Sequence, residues 1–158
     1  MDRTEVLTVA GLGVMAGMRS LSAPAVLSQR LSKDSGKATG GLDGMLSSKL
    51  GSRTLTVLAL GELVGDKLPG IPARIAPPAL TFRLLSGAVV GASLARRNKR
   101  PVLGPILIGA VSSLASAFAL YGLRELATKQ LRIPNVLAGL LEDMLVATAG
   151  TRVMAALK

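Results

Sequence analysis

The sequence predicts an all-α, polytopic integral membrane protein with about five transmembrane helices, formed as a single domain over residues 1–158. Three observations predict this class. Apolar residues make up 49% of the chain and charged residues only 18%, and one segment runs for 23 residues without a charge. The 18 glycines suit membrane helices, which pack closely through small residues. The chain has no Cys and no His, which excludes a disulfide, a structural zinc site and an imidazole base.

The first apolar segment, A, covers residues 5–28, and its only charge after Glu5 is Arg19. Since roughly 20 helical residues cross a ~30 Å hydrocarbon layer, segment A is long enough to span as one helix. A signal peptide with its apolar region over residues 6–18 is the alternative. The start at residues 1–5 holds two acids and one base, which is not the positive leader that such a peptide needs.

Residues 29–53 form a polar connector rich in Ser, Gly and cations, with a short interfacial helix expected near residues 42–50. Segment B, residues 54–65, is apolar except for Glu62 but has only 12 residues. It must therefore borrow residues from the connector, tilt, or form a half-helix inside the protein. Four prolines in residues 69–78 form a break that no helix crosses.

Three further apolar segments follow the proline-rich break. Segment C, residues 79–95, is interrupted by Arg83 and ends at the cationic run 96–100, and segment D, residues 101–123, has no charge. Segment E, residues 133–157, carries three charges, at Glu142, Asp143 and Arg152. A soluble Ala-rich bundle is the alternative, but a soluble surface helix shows polar residues at every turn and segment D does not.

The distribution of Lys and Arg predicts an orientation. If all five segments cross, the connector, the C–D turn and the C-terminus carry ten of the 19 cations, and the N-terminus and the other two turns carry six. The remaining three lie within segments. Because cytoplasmic loops are rich in Lys and Arg, the sequence predicts an outside N-terminus and a cytoplasmic C-terminus in the bacterial inner membrane.

Several ionisable side chains fall inside or beside these segments, where a charge costs ~2.5–3.5 kcal/mol on insertion scales. Arg83 and Arg152 lie close enough to segment ends to be expected to snorkel to the interface. The other charges are predicted to converge on one polar site near the midplane, which binds an ion or small solute. The candidate residues are Arg19, Glu62, Asp66, Lys67, Arg124 and Glu142.

Small residues recur at a spacing that allows close helix contact. Three GxxxG pairs occur at Gly13 and Gly17, Gly61 and Gly65, and Gly87 and Gly91, and a small-xxx-small pair occurs at Ser112 and Ser116. Such contacts also favour a homo-oligomer.

The sequence also suggests an inverted repeat. Residues 17–21 and 122–126 both read Gly-apolar-Arg-x-Leu at the end of an apolar segment, and each is followed by a segment with an acid, Glu62 or Glu142. Segments A–B and D–E would then be two copies of one structural unit. Because a single span, segment C, lies between them, the second copy would cross the membrane in the opposite direction to the first. In transporters this arrangement brackets a midplane site built from broken helices.

Several motifs together carry a resemblance to a known family. They are Glu62-Leu63-Val64-Gly65-Asp66-Lys67-Leu68-Pro69, Pro72-Ala73-Arg74, Gly17-Met18-Arg19-Ser20 with Pro24-Ala25, Arg83 with Gly87-Ala88-Val89-Val90-Gly91-Ala92, and Leu141-Glu142-Asp143. With them the chain resembles the bacterial membrane-protein family called domain of unknown function 4126. The resemblance implies a small polytopic inner-membrane protein and implies no established activity.

The function favoured by these patterns is a transporter or channel for an ion or small solute, with the lipid bilayer as its surroundings. The alternative is a non-transporting membrane scaffold or lipid-binding module. An intramembrane enzyme would need carboxylates such as Glu142 and Asp143, or Glu62 and Asp66, to chelate a metal. No catalytic signature accompanies them, so we expect no enzyme, metal or cofactor. Nucleic-acid binding is disfavoured because stacking aromatics make up only 2% of the chain.

Overall fold

A computed structural model describes residues 1–33, 41–65, 75–130 and 134–156. Over these ranges the chain forms seven helices and no strand, which confirms the all-α class. The helices are α1 (Arg3–Met18), α2 (Ser22–Leu31), α3 (Gly41–Ser47), α4 (Lys49–Gly65), α5 (Pro77–Arg97), α6 (Leu103–Lys129) and α7 (Asn135–Ala156).

Segment A is two helices, so the prediction of one continuous span is wrong. The helix stops at Met18 and restarts at Ser22. Pro24 gives the physical reason, because a proline ring inside a helix clashes with the carbonyl four residues earlier, here that of Ser20. Within the first turn of α2 the proline is tolerated, since the N–H that it lacks would have no helical partner there. The chain therefore breaks over residues 19–21.

The connector and segment B follow the predicted outline. α3 confirms the expected short helix, and it is fixed by a hydrogen bond of 2.6 Å from the Ser93 hydroxyl to the buried Asp43 carboxylate. α4 has 17 residues because it begins at Lys49, inside the predicted connector. Of the proline-rich break, residues 69–74 lie outside the described residues, and α5 starts directly at Pro77.

α5 and α6 pack antiparallel, and small residues set their separation. A Cβ added at Gly87 would overlap the Gly109 carbonyl, and one added at Gly91 would overlap that of Pro105. The Ser113 hydroxyl donates to the Arg83 carbonyl at 2.7 Å one turn further along. The Gly87–Gly91 pair therefore acts as predicted, by letting two backbones approach closely.

α1 lies parallel to α6 on the same small-residue surface. A Cβ at Gly13 would sit 2.6 Å from the Gly109 carbonyl oxygen, and one at Gly17 would overlap Ser116. The third GxxxG pair behaves differently, because a Cβ at Gly61 of α4 would have no neighbour within 4 Å. The homo-oligomer inferred from these motifs stays a prediction.

α7 runs antiparallel to α1 and closes the apolar core. The position that a Cβ would take at Gly150 is 3.3 Å from the Met15 side chain, and that at Gly11 is 3.3 Å from Val153. The buried core side chains come from α1, α2, α3, α5 and α7. They are Leu12, Met15, Ala16, Ala23, Leu27, Leu31, Leu46, Val90 and Val146.

The helices α1 and α2 form a hairpin that returns to the end where it began. Thr8 near the start of α1 and Arg30 near the end of α2 line one cavity together with Arg97 and Arg100, and Asn98 donates to Glu5 at 3.0 Å. We call this end of the molecule the basic end. The predicted orientation is therefore wrong in placing the N-terminus opposite the connector and the C–D turn, because it assumed that segment A crosses.

α5 and α6 are, within the described ranges, the helices long and apolar enough to cross a membrane. Only 17% of the most apolar window of α6 is buried, whereas the core helix of a soluble protein is mostly covered. Large apolar side chains stay exposed along α6, including Leu107, Val111, Phe118 and Leu123. Length and composition therefore give these two helices the character of membrane spans.

Candidate functional site

The tip of the α1–α2 hairpin lies beside the middle of α6. The Ser116 hydroxyl on α6 donates to the Val14 carbonyl at 2.8 Å, shortly before the hairpin turns. At a rise of ~1.5 Å per residue, Ser116 is about 20 Å from the start of α6 at Leu103, and the whole helix is about 40 Å long. The break in the chain therefore lies halfway along the longest helix.

Glu62 of α4 holds the hairpin tip. Its carboxylate accepts from the backbone N–H of Ser20 and from that of Leu21, both at 2.9 Å. These two donors precede α2 and lack helical partners, because the chain is broken there. Glu62 thus does for α2 what a capping side chain does, from a distant helix. A carboxylate also interacts favourably with the positive end of the helix dipole.

Arg19, at the C-terminal cap of α1, pairs with Asp143 of α7. Its Nε donates to Asp143 Oδ1 at 3.1 Å, and a second guanidinium nitrogen donates to the same oxygen. The third nitrogen lies 3.4 Å from the Glu62 carbonyl oxygen. The Arg19 side chain is 3% exposed and that of Asp143 is 17% exposed, so little water reaches the pair. We call Arg19, Glu62 and Asp143 the hairpin-tip cluster.

Arg124, which matches Arg19 in the proposed repeat, pairs with Glu142, the residue directly before Asp143. Arg124 of α6 lies 3.8 Å from Glu142, whose side chain is 7% exposed. Glu142 and Asp143 are adjacent on α7 and therefore point about 100° apart, one toward α6 and the other toward α1. The two acids consequently form separate ion pairs.

Two serines connect the hairpin tip to the helices behind it. The Ser20 carbonyl, which Pro24 excludes from helical bonding, accepts from the Ser86 hydroxyl of α5.

One turn earlier on α5, Arg83 is 5% exposed. The prediction that Arg83 snorkels to an interface is wrong, because the residue is buried within the protein. Arg152 is exposed, as a snorkelling side chain would be.

The predicted site residues are brought together in part. Arg19 and Glu62 meet at the hairpin tip, whereas Arg124 and Glu142 form their own pair on α6 and α7. Asp66 and Lys67 lie outside the described residues.

The site prediction omitted Asp143, although the sequence holds a signal for it. Asp143, Val146 and Gly150 recur at helical spacing, and the last two face α1 and α2.

A groove of about 480 Å³ begins next to the cluster and runs between α2, α4 and α7. Its inner end is lined by Ser22 and Leu63. Ser22 directly follows Leu21 in the sequence, and Leu63 directly follows Glu62. Further out, Gln29 donates to the Thr56 hydroxyl at 3.0 Å across the groove. Most of the remaining lining is apolar: Met15, Ala25, Val26, Ala59, Leu60, Val146, Ala147 and Gly150, with Thr151 as a further hydroxyl.

The structure does not support the inverted repeat at the level of local conformation. The chain breaks after Arg19, whereas α6 continues through Arg124 to Lys129. Pro24 lies five residues after Arg19. The equivalent position in the second copy, five residues after Arg124, is Lys129, and a lysine does not interrupt a helix. Over the described ranges, no group of three or more acidic side chains is arranged to hold a metal ion.

Comparison with known proteins gives no relative for this fold or this site. No protein-family model, curated protein or solved structure matches the chain. The resemblance to domain of unknown function 4126 therefore stays a prediction.

Proposed function

We propose that the protein is a multi-pass protein of the bacterial inner membrane. In this arrangement α5, α6 and α7 cross the bilayer, and the α1–α2 hairpin and α4 enter it from the basic end. The exposed apolar surface of α6 and its length of about 40 Å, against a ~30 Å hydrocarbon core, support this placement. Since the basic end carries Arg96, Arg97, Lys99 and Arg100, we place it in the cytoplasm, together with the start of α1 and the end of α7.

We further propose that the protein moves protons, as the simplest case of a small ion or solute, past the hairpin-tip cluster. The observation that carries the proposal is a broken helix whose free N–H groups are held by Glu62, halfway along the longest helix and at the head of the groove. Irregular backbone at membrane depth is found where it is buried in protein or lines a cavity. Such breaks form the binding sites of many transporters.

The cluster offers a chemical route for a proton. Protonation removes the charge of Glu62, which weakens its hold on the N–H groups of Ser20 and Leu21. The hairpin tip is then less firmly held, and the carboxyl is freed to turn toward the groove beside Ser22. Asp143 is already engaged by Arg19, since two guanidinium nitrogens donate to its carboxylate. Glu62 is accordingly the residue that exchanges the proton.

Proton flux into liposomes that contain the purified protein tests this function. A potassium diffusion potential set with valinomycin drives protons inward, and entrapped pyranine reports the internal pH. We expect the protein to accelerate acidification over empty liposomes and Glu62→Gln to abolish the acceleration. Glu125→Gln is the matched control, because Glu125 pairs with Lys129 at the far end of α6 and should leave flux unchanged. Equal flux for Glu62→Gln and the unsubstituted protein contradicts the proposal.

A non-transporting membrane scaffold is the second candidate, and one observation favours it. The α1, α5 and α6 backbones are in direct contact through Gly13, Gly17 and Gly87, which leaves no space for a solute among them. A folded protein that adds no proton flux to empty liposomes supports the scaffold and rejects transport.

A further inference from the structure

A second cavity, of about 230 Å³, lies at the basic end, far from the hairpin-tip cluster. Three arginines line it from separate parts of the chain: Arg30 at the end of α2, Arg97 at the end of α5, and Arg100 in the turn before α6. Its floor is apolar and includes Val9, Leu31, Leu94, Ala95 and Pro105. Liquid water occupies ~30 Å³ per molecule, so the cavity is large enough for several atoms of a solute.

The acidic side chains that line the cavity already have other roles. Asp2 accepts from the Glu5 backbone N–H at 2.8 Å, and Glu5 accepts from the Asp2 backbone N–H at 3.1 Å, which completes a capping box on α1. Glu5 also accepts from Asn98 at 3.0 Å. The two carboxylates thus hold the start of α1 and the turn after α5, and the three arginines outnumber them in the lining of the cavity.

We propose that this cavity binds a phosphate-bearing anion, which is either the headgroup of an anionic phospholipid or free phosphate. Guanidinium groups present donors in a planar fork that matches phosphate oxygens. Thr4 of α1 also lines the cavity, and its hydroxyl is a neutral donor. The apolar floor beneath the arginines suits the glycerol and first methylenes of a lipid. This site is independent of the proposed transport, because it lies at the other end of the hairpin.

Binding to the full chain in neutral detergent tests the site, with a soluble short-chain phosphatidylglycerol as the probe and phosphatidylcholine of equal chain length as the uncharged comparison. We expect phosphatidylglycerol to bind, phosphatidylcholine to bind much more weakly, and Arg30→Gln or Arg100→Gln to weaken binding about tenfold, which is ~1.4 kcal/mol. Arg100 is exposed, so its substitution leaves folding intact.

Arg3→Gln is the matched control, because Arg3 is an exposed arginine at the same end that does not line the cavity. It should leave the dissociation constant unchanged. Inorganic phosphate is titrated in parallel: binding that Arg30→Gln also weakens identifies free phosphate as the ligand, whereas binding of the lipid alone identifies the headgroup. If neither probe binds, or if Arg3→Gln weakens binding as much as Arg30→Gln, the cavity is not a site. These outcomes leave the flux measurements unaffected.

Discussion

Arg19, in the turn between α1 and α2, donates to Asp143 of α7, which lies 124 positions later in the chain. The pair joins the first helix to the last one at the point where the backbone is broken. It lies beside Glu62, which holds the free N–H groups of the same turn. The fold of the hairpin and the chemistry of the cluster therefore depend on the same few side chains.

Asp143→Ala should lower the free energy of unfolding by ~3–5 kcal/mol, because it removes the Asp143 carboxylate from the buried Arg19 guanidinium. Thermal unfolding in detergent, followed by circular dichroism, measures the loss. Glu142→Ala is the control on the adjacent residue. Its partner Arg124 is 31% exposed and can turn to solvent, so the expected loss is at most about 1 kcal/mol. Equal losses at the two positions would contradict the burial of the Arg19 pair.

The double substitution Arg19→Met with Asp143→Leu should recover most of the stability lost in Asp143→Ala. Replacing a buried ion pair by apolar side chains of similar volume is often neutral or stabilising. The same unfolding measurement applies. A double variant as unstable as the single one would mean that the pair does not act as a unit.

Gly17→Ala should destabilise the fold by ~1–3 kcal/mol, because the added methyl group overlaps Ser113 and Ser116 of α6. Gly61→Ala should do the opposite and stabilise α4 by up to ~1 kcal/mol, since alanine favours the helix and the site is open. Unfolding midpoints of the two variants, measured side by side, check the assignment. A larger loss at Gly61 would place α4, not α1, against a neighbouring backbone.

Glu62→Gln should loosen the hairpin tip without unfolding the protein. A glutamine has one carbonyl oxygen, so one of the two N–H groups at Ser20 and Leu21 loses its acceptor at a cost of ~1–3 kcal/mol. Hydrogen exchange of these two amides should accelerate, whereas the amides of α6 should exchange as before. Unchanged exchange at the tip would show that Glu62 does not hold it.

The sequence was sufficient to predict the helical class and much of the packing. Apolar segments of helical length predicted α5, α6 and α7. The glycine spacing predicted close helix contacts at Gly13, Gly17 and Gly87, which the structure shows, but it did not predict which helices meet there. Arg19 and Glu62 were both singled out because charges within apolar segments need partners. These inferences rest on local composition and spacing, which a single sequence shows directly.

The hairpin at residues 19–21 was missed because apolar length alone does not show where a helix reverses. Pro24 was the local signal, yet a proline in a membrane helix also occurs without a reversal. Which of the two acids, Glu142 or Asp143, meets Arg19 depends on the rotation of α7 about its axis. That rotation is set by Val146 and Gly150 packing against α1 and α2, which requires the assembled fold.

The most direct test of the hairpin is the side of the membrane on which each end of it lies. The chain has no Cys, so single cysteines at Arg3, Lys33 and Gln130 can be labelled in sealed membrane vesicles with a maleimide that does not cross the bilayer. All three residues are exposed. We expect Arg3→Cys and Lys33→Cys to be labelled from the same side, and Gln130→Cys from the opposite side. Labelling of Arg3→Cys and Lys33→Cys from opposite sides would contradict the hairpin and restore a single span.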